Sequence, residues 1–410
     1  AGSGFASGSA PVIPAGSIEL PPTMAAPETR RVFEAITADG AQARFVGGCV
    51  RDSLLRRAVK DIDIATDAEP ERVLRLLEAA RIRAIPTGID HGTVTAVITP
   101  AHFEITTLRH DVETFGRHAR VAFTDDWMTD ASRRDFTMNA LFCTIDGTLY
   151  DPFGGVEDAR SGRVRFVGDP RARITEDVLR LLRFFRFQAH YGLTPPEPAA
   201  LQACIELASQ LPKLSGERVQ GEMFRLLRAA DPVPVVRLML DHGILEHLLP
   251  EATSIGRLAF LTHAAPGQDD PVLRLAALLE TGRDGALRVA ERLRLSNADS
   301  DRLVLLTAPP AEISRLNPRQ LLHRFGIDTT RDLVLLHDPE SLPVVVQAAA
   351  QWESPHFPLQ GRDLLELGIP RGPRIGQLLK DIGRWWEDRD YRPTREDCLR
   401  ELHARLAGEP

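Results

Sequence analysis

The sequence is poor in lysine, in clustered cysteine and in long apolar runs, and each shortage excludes something. Only Lys60, Lys213 and Lys380 are lysines among the 50 basic residues of the 410-residue chain. The other basic positions are arginine, whose planar fork suits bidentate contacts to phosphate, although GC-rich coding gives the same bias. The formal net charge is −7, so there is no global basic footprint and any nucleic-acid contact must rest on a local patch. Cys49, Cys143, Cys204 and Cys398 are scattered, with no CxxC and no zinc spacing. They suit a reducing cytoplasm rather than a disulfide framework. No apolar run approaches membrane-spanning length. The opening AGSGFASGSAPVIPAGS lacks the basic and apolar segments of a signal peptide, so residues 1–28 read as a flexible tail.

What is present divides into two patterns. The length predicts two to four domains. Over residues 29–150, helical and strand patterns alternate. ETRRVFEAITADG reads as a helix ending at Gly40, and ARFVGGCVRD as a strand, a glycine turn and a helix. KDIDIAT reads as a strand, and EPERVLRLLEAARI as a helix with Pro70 near its start. GTVTAVI and FEITTLR are strand-like neighbours, and ALFCTIDGTLY is two strands around an Asp146-Gly147 turn. After Gly155 nearly every segment reads as helix, beginning with ITEDVLRLLRFFRFQAHYG.

Five constellations carry chemistry. In KDIDIAT, successive strand residues point to opposite faces, so Asp61 and Asp63 share one face while Ile62 and Ile64 share the other. Two carboxylates that close fit a solvated edge, or a site where a hard divalent cation such as Mg2+ offsets their repulsion. In VGGCVRD, Gly47 and Gly48 let backbone amides approach a ligand closely, and Arg51 adds positive charge, which suits a phosphate. Glu104 in FEITTLR lies on the strand face opposite Phe103 and Ile105 and offers a third carboxylate. In RRDFTMNAL, Arg134 and Asp135 suit a triphosphate and a sugar hydroxyl, while Phe136, Met138 and Leu141 read as core. In EDVLRLLRFFRF, Asp177, Arg180, Arg183 and Arg186 recur every third residue beside apolar bulk. They read either as an Asp177–Arg180 ion pair with solvated arginines or as a row that meets an anion and a base edge.

Together, in this order, these motifs with DPFGG resemble the class II tRNA nucleotidyltransferase and bacterial poly(A) polymerase family. The resemblance is dense over residues 42–225, and LSGERVQGEMFRLL resembles the family's next helix. It implies an α+β fold: a polymerase-β-like nucleotidyltransferase head (a mixed sheet with helices), then an all-α neck, body and tail. The implied limits are a head over 29–150, a neck over 151–213, a body over 214–300 and a tail over 301–410. It implies that Asp61 and Asp63 hold Mg2+, with Glu104 as the third active-site carboxylate. Gly47, Gly48 and Arg51 would meet the nucleotide phosphates, and Arg134 and Asp135 the nucleotide, Asp135 near the ribose. Asp177 and Arg180 would pair with the base of CTP or ATP as an amino-acid template, and Arg183 and Arg186 would face the triphosphate.

Within the family, TGIDHGTVTAVI resembles the segment of CCA-adding enzymes, and the Arg-rich segment of poly(A) polymerases is missing there. The loop from Arg109 to Ser132 has the length that CC-adding relatives lack. The expected activity is therefore complete CCA addition to tRNA 3′ ends. A-only addition, poly(A) addition and a catalytically silent RNA-binding role are the alternatives. LRLAALLETGRDG has no His-Asp pair, and His110-Asp111 and His337-Asp338 stand alone, so no phosphohydrolase activity is expected.

Overall fold

The computed structural model describes residues 13–115 and 118–408. The described chain divides into two compact units. One comprises the residues up to Ile255 with Ala265–Pro271 and Glu291–Leu295; the other comprises Gly256–Ala264, Val272–Ala290 and the residues from Ser296 onward. The segment expected as a body over 214–300 is thus shared between the two.

The first unit is built on strands β1 (Pro14–Ser17), β2 (Ala43–Val46), β3 (Ile62–Thr66), β4 (Arg83–Gly88), β5 (Thr93–Ile98), β6 (Ala101–Thr107), β9 (Phe142–Cys143) and β10 (Thr148–Tyr150). They form one sheet in the order β1-β10-β9-β2-β3-β6-β5-β4. Strands β7 (Arg109–Phe115) and β8 (His118–Phe123) form a separate hairpin. The expected pairings of β5 with β6 and of β9 with β10 are present and antiparallel. Of the tail expected over 1–28, residues 1–12 lie outside the described residues. Within the rest, β1 pairs with β10 and Met24 is fully buried, so this segment is part of the fold.

Helices α1 (Pro27–Thr37), α2 (Gly48–Leu54), α3 (Pro70–Ala79) and α4 (Trp127–Ser132) complete the head. The period-2 pattern of β3 decides which side of the sheet does chemistry. Ile62 and Ile64 enter a core with Phe103 and Ile105 of β6, Val32, Phe33 and Ile36 of α1, and Val73 and Leu77 of α3. On the other face Ala65 packs with Val46, Leu108, Trp127 and Phe142, while Asp63, nearer the strand's start, stays partly open. Asp61 lies just ahead of the strand and is exposed. Strand β6 runs parallel to β3 and sets Glu104 directly beside Asp63.

The chain continues as α5 (Gly155–Ser161), α6 (Pro170–Glu176), α7 (Leu179–Tyr191), α8 (Pro198–Leu207), α9 (Gly216–Leu227) and α10 (Val233–Asp241). The continuous helix read from ITEDVLRLLRFFRF is in fact broken. Asp177 is extended (φ −148°, ψ 107°) between α6 and α7. Phe184, Phe185 and Phe187 of α7 are core, as are Phe136, Met138 and Leu141, while Tyr191 at the helix end is half-buried and lines the cleft. Phe136 sits 4.9 Å from Phe166 and 4.7 Å from Phe187 between ring centroids, which joins α7 to the RRDFTMNAL segment.

Then follow α11 (Gly256–Ala264), α12 (Pro271–Leu278), α13 (Arg283–Arg292), α14 (Asn297–Thr307), α15 (Pro318–His337), α16 (Leu342–Ala350), α17 (Gly361–Glu366), α18 (Pro373–Glu387) and α19 (Arg395–Gly408). Among the described residues no strand follows β10, in line with the all-helical rear expected. In the second unit, Gly326 (φ +76°) interrupts α15, and α17–α19 close around Leu364, Ile382, Trp386 and Leu402. No helix among the described residues is long and apolar enough to cross a membrane.

Candidate active site

The open face of the sheet and helices α7 and α9 line a cleft of about 890 Å³ within the first unit. Ten of the residues singled out from sequence meet there: Gly47, Gly48, Arg51, Asp63, Arg134, Asp135, Asp177, Arg180, Arg183 and Arg186. Asp61 lines an adjoining cavity that shares Gly48, Arg51, Lys60 and Asp63 with the cleft. Glu104 lines neither cavity and is exposed, but stays Asp63's direct neighbour across β3 and β6. Nine arginines and Lys60 line the cleft, against four aspartates. This is the local basic patch that a net-negative chain requires to meet a polyanion.

At the acidic end, none of Asp61, Asp63 and Glu104 forms an ion pair among the described residues. Burial, and then the Glu104 carboxylate, push the Asp63 carboxyl up to about 6; Asp61 adds to this and Arg134 pulls against it. Carboxylates crowded together without an ion-paired protein cation suit a hard divalent ion. Among the described residues no three acidic, His or Cys side chains form a complete cage. Two carboxylates fit Mg2+ nonetheless, because that ion keeps waters and substrate phosphates in its other positions.

The arginines beside the acids are aimed by a residue that the motif reading passed over. Asp130, 1% exposed, gives one carboxylate oxygen to each of two guanidinium groups. Oδ1 accepts from Arg133 Nε and Nη2 at 3.0 and 2.9 Å, and Oδ2 from Arg134 Nε and Nη2 at 3.1 and 2.8 Å. Burial opposes the charge on Asp130, but Arg134 and Arg133 outweigh it and hold the carboxyl below the usual range. Arg134 Nη1 remains beside Gly47, where an added Cβ would lie 3.6 Å from it. Gly47 itself has φ +71°, which favours glycine.

Two predicted phosphate and sugar ligands are already well occupied by the protein. Arg51 donates to Asp52 (2.9 and 3.1 Å), to Asn139 Oδ1 (2.6 Å) and to the Tyr191 hydroxyl (2.6 Å). Asp135 is buried and accepts from Phe136 N (2.8 Å), Asn139 Nδ2 (3.0 Å) and Arg183 Nε (2.6 Å). Burial disfavours its charge, but Arg183 and Asn139 keep its carboxyl below the usual range.

Along α7 the arginine row has protein partners rather than bare apolar neighbours. Arg180 Nη1 donates to Glu176 Oε2 at 2.5 Å and to the Arg173 carbonyl at 3.0 Å. Arg186 Nε lies 3.0 Å from Glu222 Oε2 on α9, and burial brings its guanidinium down to about 10 although Glu222 supports the charge. The Asp177–Arg180 ion pair considered from sequence does not form. Both Asp177 oxygens face Arg218 Nη2 of α9 instead, at 3.0 and 2.9 Å. Arg218 and the buried Glu222, which hold Asp177 and face Arg186, were not singled out from sequence. Both lie in the quoted LSGERVQGEMFRLL segment, and their burial and contacts appear only in the fold.

Residues 43–165 match a family described as the Poly A polymerase head domain, and residues 195–255 match one described as a probable RNA and SrmB-binding site of polymerase A. The sheet and its acidic edge are therefore those of a nucleotidyltransferase head, and the helices α8 to α10 that follow fall largely in the second family. The mitochondrial CCA tRNA nucleotidyltransferase 1 of Mus musculus is 33% identical over 90% of this chain and 88% of its own. The CCA-adding enzyme of Lactobacillus johnsonii is 32% identical over 86% of this chain and 90% of its own. A crystal structure of the Bacillus stearothermophilus CCA-adding enzyme in complex with CTP superposes with a TM-score of 0.75 at 27% identity, over 93% of this chain and 98% of that one. The chain belongs to the CCA tRNA nucleotidyltransferase family.

Proposed function

We propose that this protein adds C, C and A to tRNA 3′ ends from CTP and ATP, without a nucleic-acid template and with release of pyrophosphate. The observation that carries the reading is the meeting, in one cleft, of the Asp63 edge, the arginine field and the Asp177–Arg180 pair. In this reading the triphosphate lies along Gly47, Gly48, Arg51 and Arg134. Arg183 and Arg186 act on it chiefly as fixed positive charge, since Asp135 takes a donor of Arg183 and Glu222 forms an ion pair with Arg186. Asp177 accepts from the exocyclic amine of the base and Arg180 donates to the adjacent ring nitrogen. Cytosine and adenine both present that donor–acceptor edge, and uracil and guanine present the reverse. Asp135 stands near the ribose.

Asp61 and Asp63 would hold Mg2+, with Glu104 as the third carboxylate beside them. When bound there, Mg2+ supplies charge neutralisation at the triphosphate and activation of the attacking 3′-hydroxyl. The protein's own part is to align the α-phosphorus with the primer hydroxyl and to shield the leaving pyrophosphate with guanidinium groups.

The limits expected from sequence, head 29–150, neck 151–213, body 214–300 and tail 301–410, remain our assignment of these roles. The tRNA acceptor end is recognised by shape and backbone contacts through arginines of the helices after the head. The four cysteines are free and buried, which supports a reducing, cytoplasmic setting.

The test is incubation with Mg2+, labelled CTP and ATP, and a tRNA ending before its CCA, with products resolved at single-nucleotide length. We expect three additions, with CTP required before ATP. Two additions, A alone on a tRNA ending in CC, or a long ATP-only ladder on generic RNA would each replace this reading with CC, A-only or poly(A) addition. Intact tRNA binding without incorporation would make it a silent binder.

A further inference from the structure

Asp177 occupies an unusual place for a group that reads a base. It sits in the break between two helices, only three residues ahead of a guanidinium of opposite charge. Left to themselves, Asp177 and Arg180 would neutralise each other and present nothing to a nucleobase. They are kept apart by separate anchors. Glu176 and the Arg173 carbonyl hold Arg180, while Arg218, 41 residues further along, holds Asp177.

We propose that Arg218 is a positioning residue that sets nucleobase choice, by turning the Asp177 carboxylate away from Arg180 and leaving it a single open acceptor site. This rests on the reading of Asp177 and Arg180 as the base-reading pair. An ionised carboxylate offers about four lone-pair sites. On Asp177, Oδ1 accepts from Arg218 Nη2 at 3.0 Å and from the Leu179 amide at 3.2 Å. Oδ2 accepts from Arg218 Nη2 at 2.9 Å. One site therefore stays open, on Oδ2, and the side chain lines the cleft. One acceptor in a fixed direction suits one exocyclic amine, whereas a freely turning carboxylate suits any donor.

Arg218 is well placed for this because the start of α9 is seated tightly. An added Cβ on Gly216, two residues earlier, would meet the Arg292 carbonyl oxygen at 2.2 Å. The Arg218 side chain is itself only 29% exposed.

The experiment compares wild type, Arg218→Gln and Arg218→Lys on tRNA lacking its CCA, with CTP and UTP as competing substrates. For Arg218→Gln we expect the ratio of kcat/KM for CTP to that for UTP to fall about tenfold, the discrimination typical of one good base-edge contact. Inhibition by inorganic tripolyphosphate, which lacks a base, should stay unchanged, and Arg218→Lys should recover part of the ratio. Equal slowing with both nucleotides at an unchanged ratio would overturn the proposal and leave Arg218 a purely structural residue. Calorimetric binding of CTP and UTP to the full chains gives the same ratio without turnover. It therefore judges Arg218 even if the wild type proves unable to extend tRNA, an outcome that would count against the proposed activity alone.

Discussion

Replacing Asp63 with Asn should stabilise the metal-free protein while abolishing nucleotide incorporation, and the structure gives the size and the pH window. The Asp63 carboxyl rises from an ordinary 3.8 to about 6, first because it is buried and next because Glu104 faces it. A carboxylic acid raised on folding holds its proton in the native state where the unfolded chain has lost it. Stability therefore falls as pH climbs from about 4 to about 6, and the cost is complete above that. At about 1.4 kcal/mol per tenfold change in proton affinity, the upper limit is about 3 kcal/mol. The carboxyl is partly open to solvent, so about 2 kcal/mol is the realistic figure after screening. Asparagine has nearly the same shape and no charge to bury. Thermal unfolding in EDTA should place Asp63→Asn above wild type at pH 8, with the two converging as the pH falls toward 4. Adding Mg2+ at pH 8 should raise the wild type and leave the variant almost unmoved. A variant no more stable than wild type at pH 8 in EDTA would refute the claim that this carboxylate is held at a cost.

The other expectations concern residues of the same cleft and its support. Asp130→Asn leaves two guanidinium groups facing an amide. With Arg133 and Arg134 17% and 18% exposed, some rehydration softens the loss. We expect about 2–3 kcal/mol of destabilisation by thermal unfolding and a raised KM for CTP. Asp177→Ala should lower the preference for CTP over UTP more than it weakens triphosphate binding; an unchanged preference in nucleotide competition would remove the template role. Gly155→Ala should cost about 3 kcal/mol, because its Cβ would lie 2.1 Å from the Thr137 carbonyl oxygen. Urea unfolding measures this, and a midpoint equal to wild type would show that the α5 contact yields freely.

What the sequence made legible was local in origin. The alternation in KDIDIAT placed Ile62 and Ile64 in the core, and the glycines of VGGCVRD marked the start of α2. Phe136, Met138 and Leu141 of RRDFTMNAL read as core and are core, and the apolar bulk beside the arginine row, Leu181, Leu182, Phe184, Phe185 and Phe187, is buried too. The gathering of ten site residues in one cleft followed from motif order, through a family resemblance. What stayed hidden depends on partners distant in the chain. Helical periodicity runs smoothly through Asp177, so nothing local announces the break that Arg218 of α9 supports. Asp130 is the exception: Arg133 and Arg134 stand at ordinary helical spacing from it, and only its deep burial, which the fold supplies, sets it apart from a surface acid. The strand at Pro14–Ser17 is short and poor in β-formers, and exists because β10 offers it an edge.

The break at Asp177 bears on how this site can change. An unbroken helix would have mounted carboxylate and guanidinium on one shaft, so that any shift of one dragged the other. Instead the two are seated like separate pins of a lock, one tied to α9 and the other to the end of α6. Either pin can be recut while the other keeps its place. If the two read the base as we propose, the protein carries its alphabet as two independent settings, open to revision one letter-contact at a time.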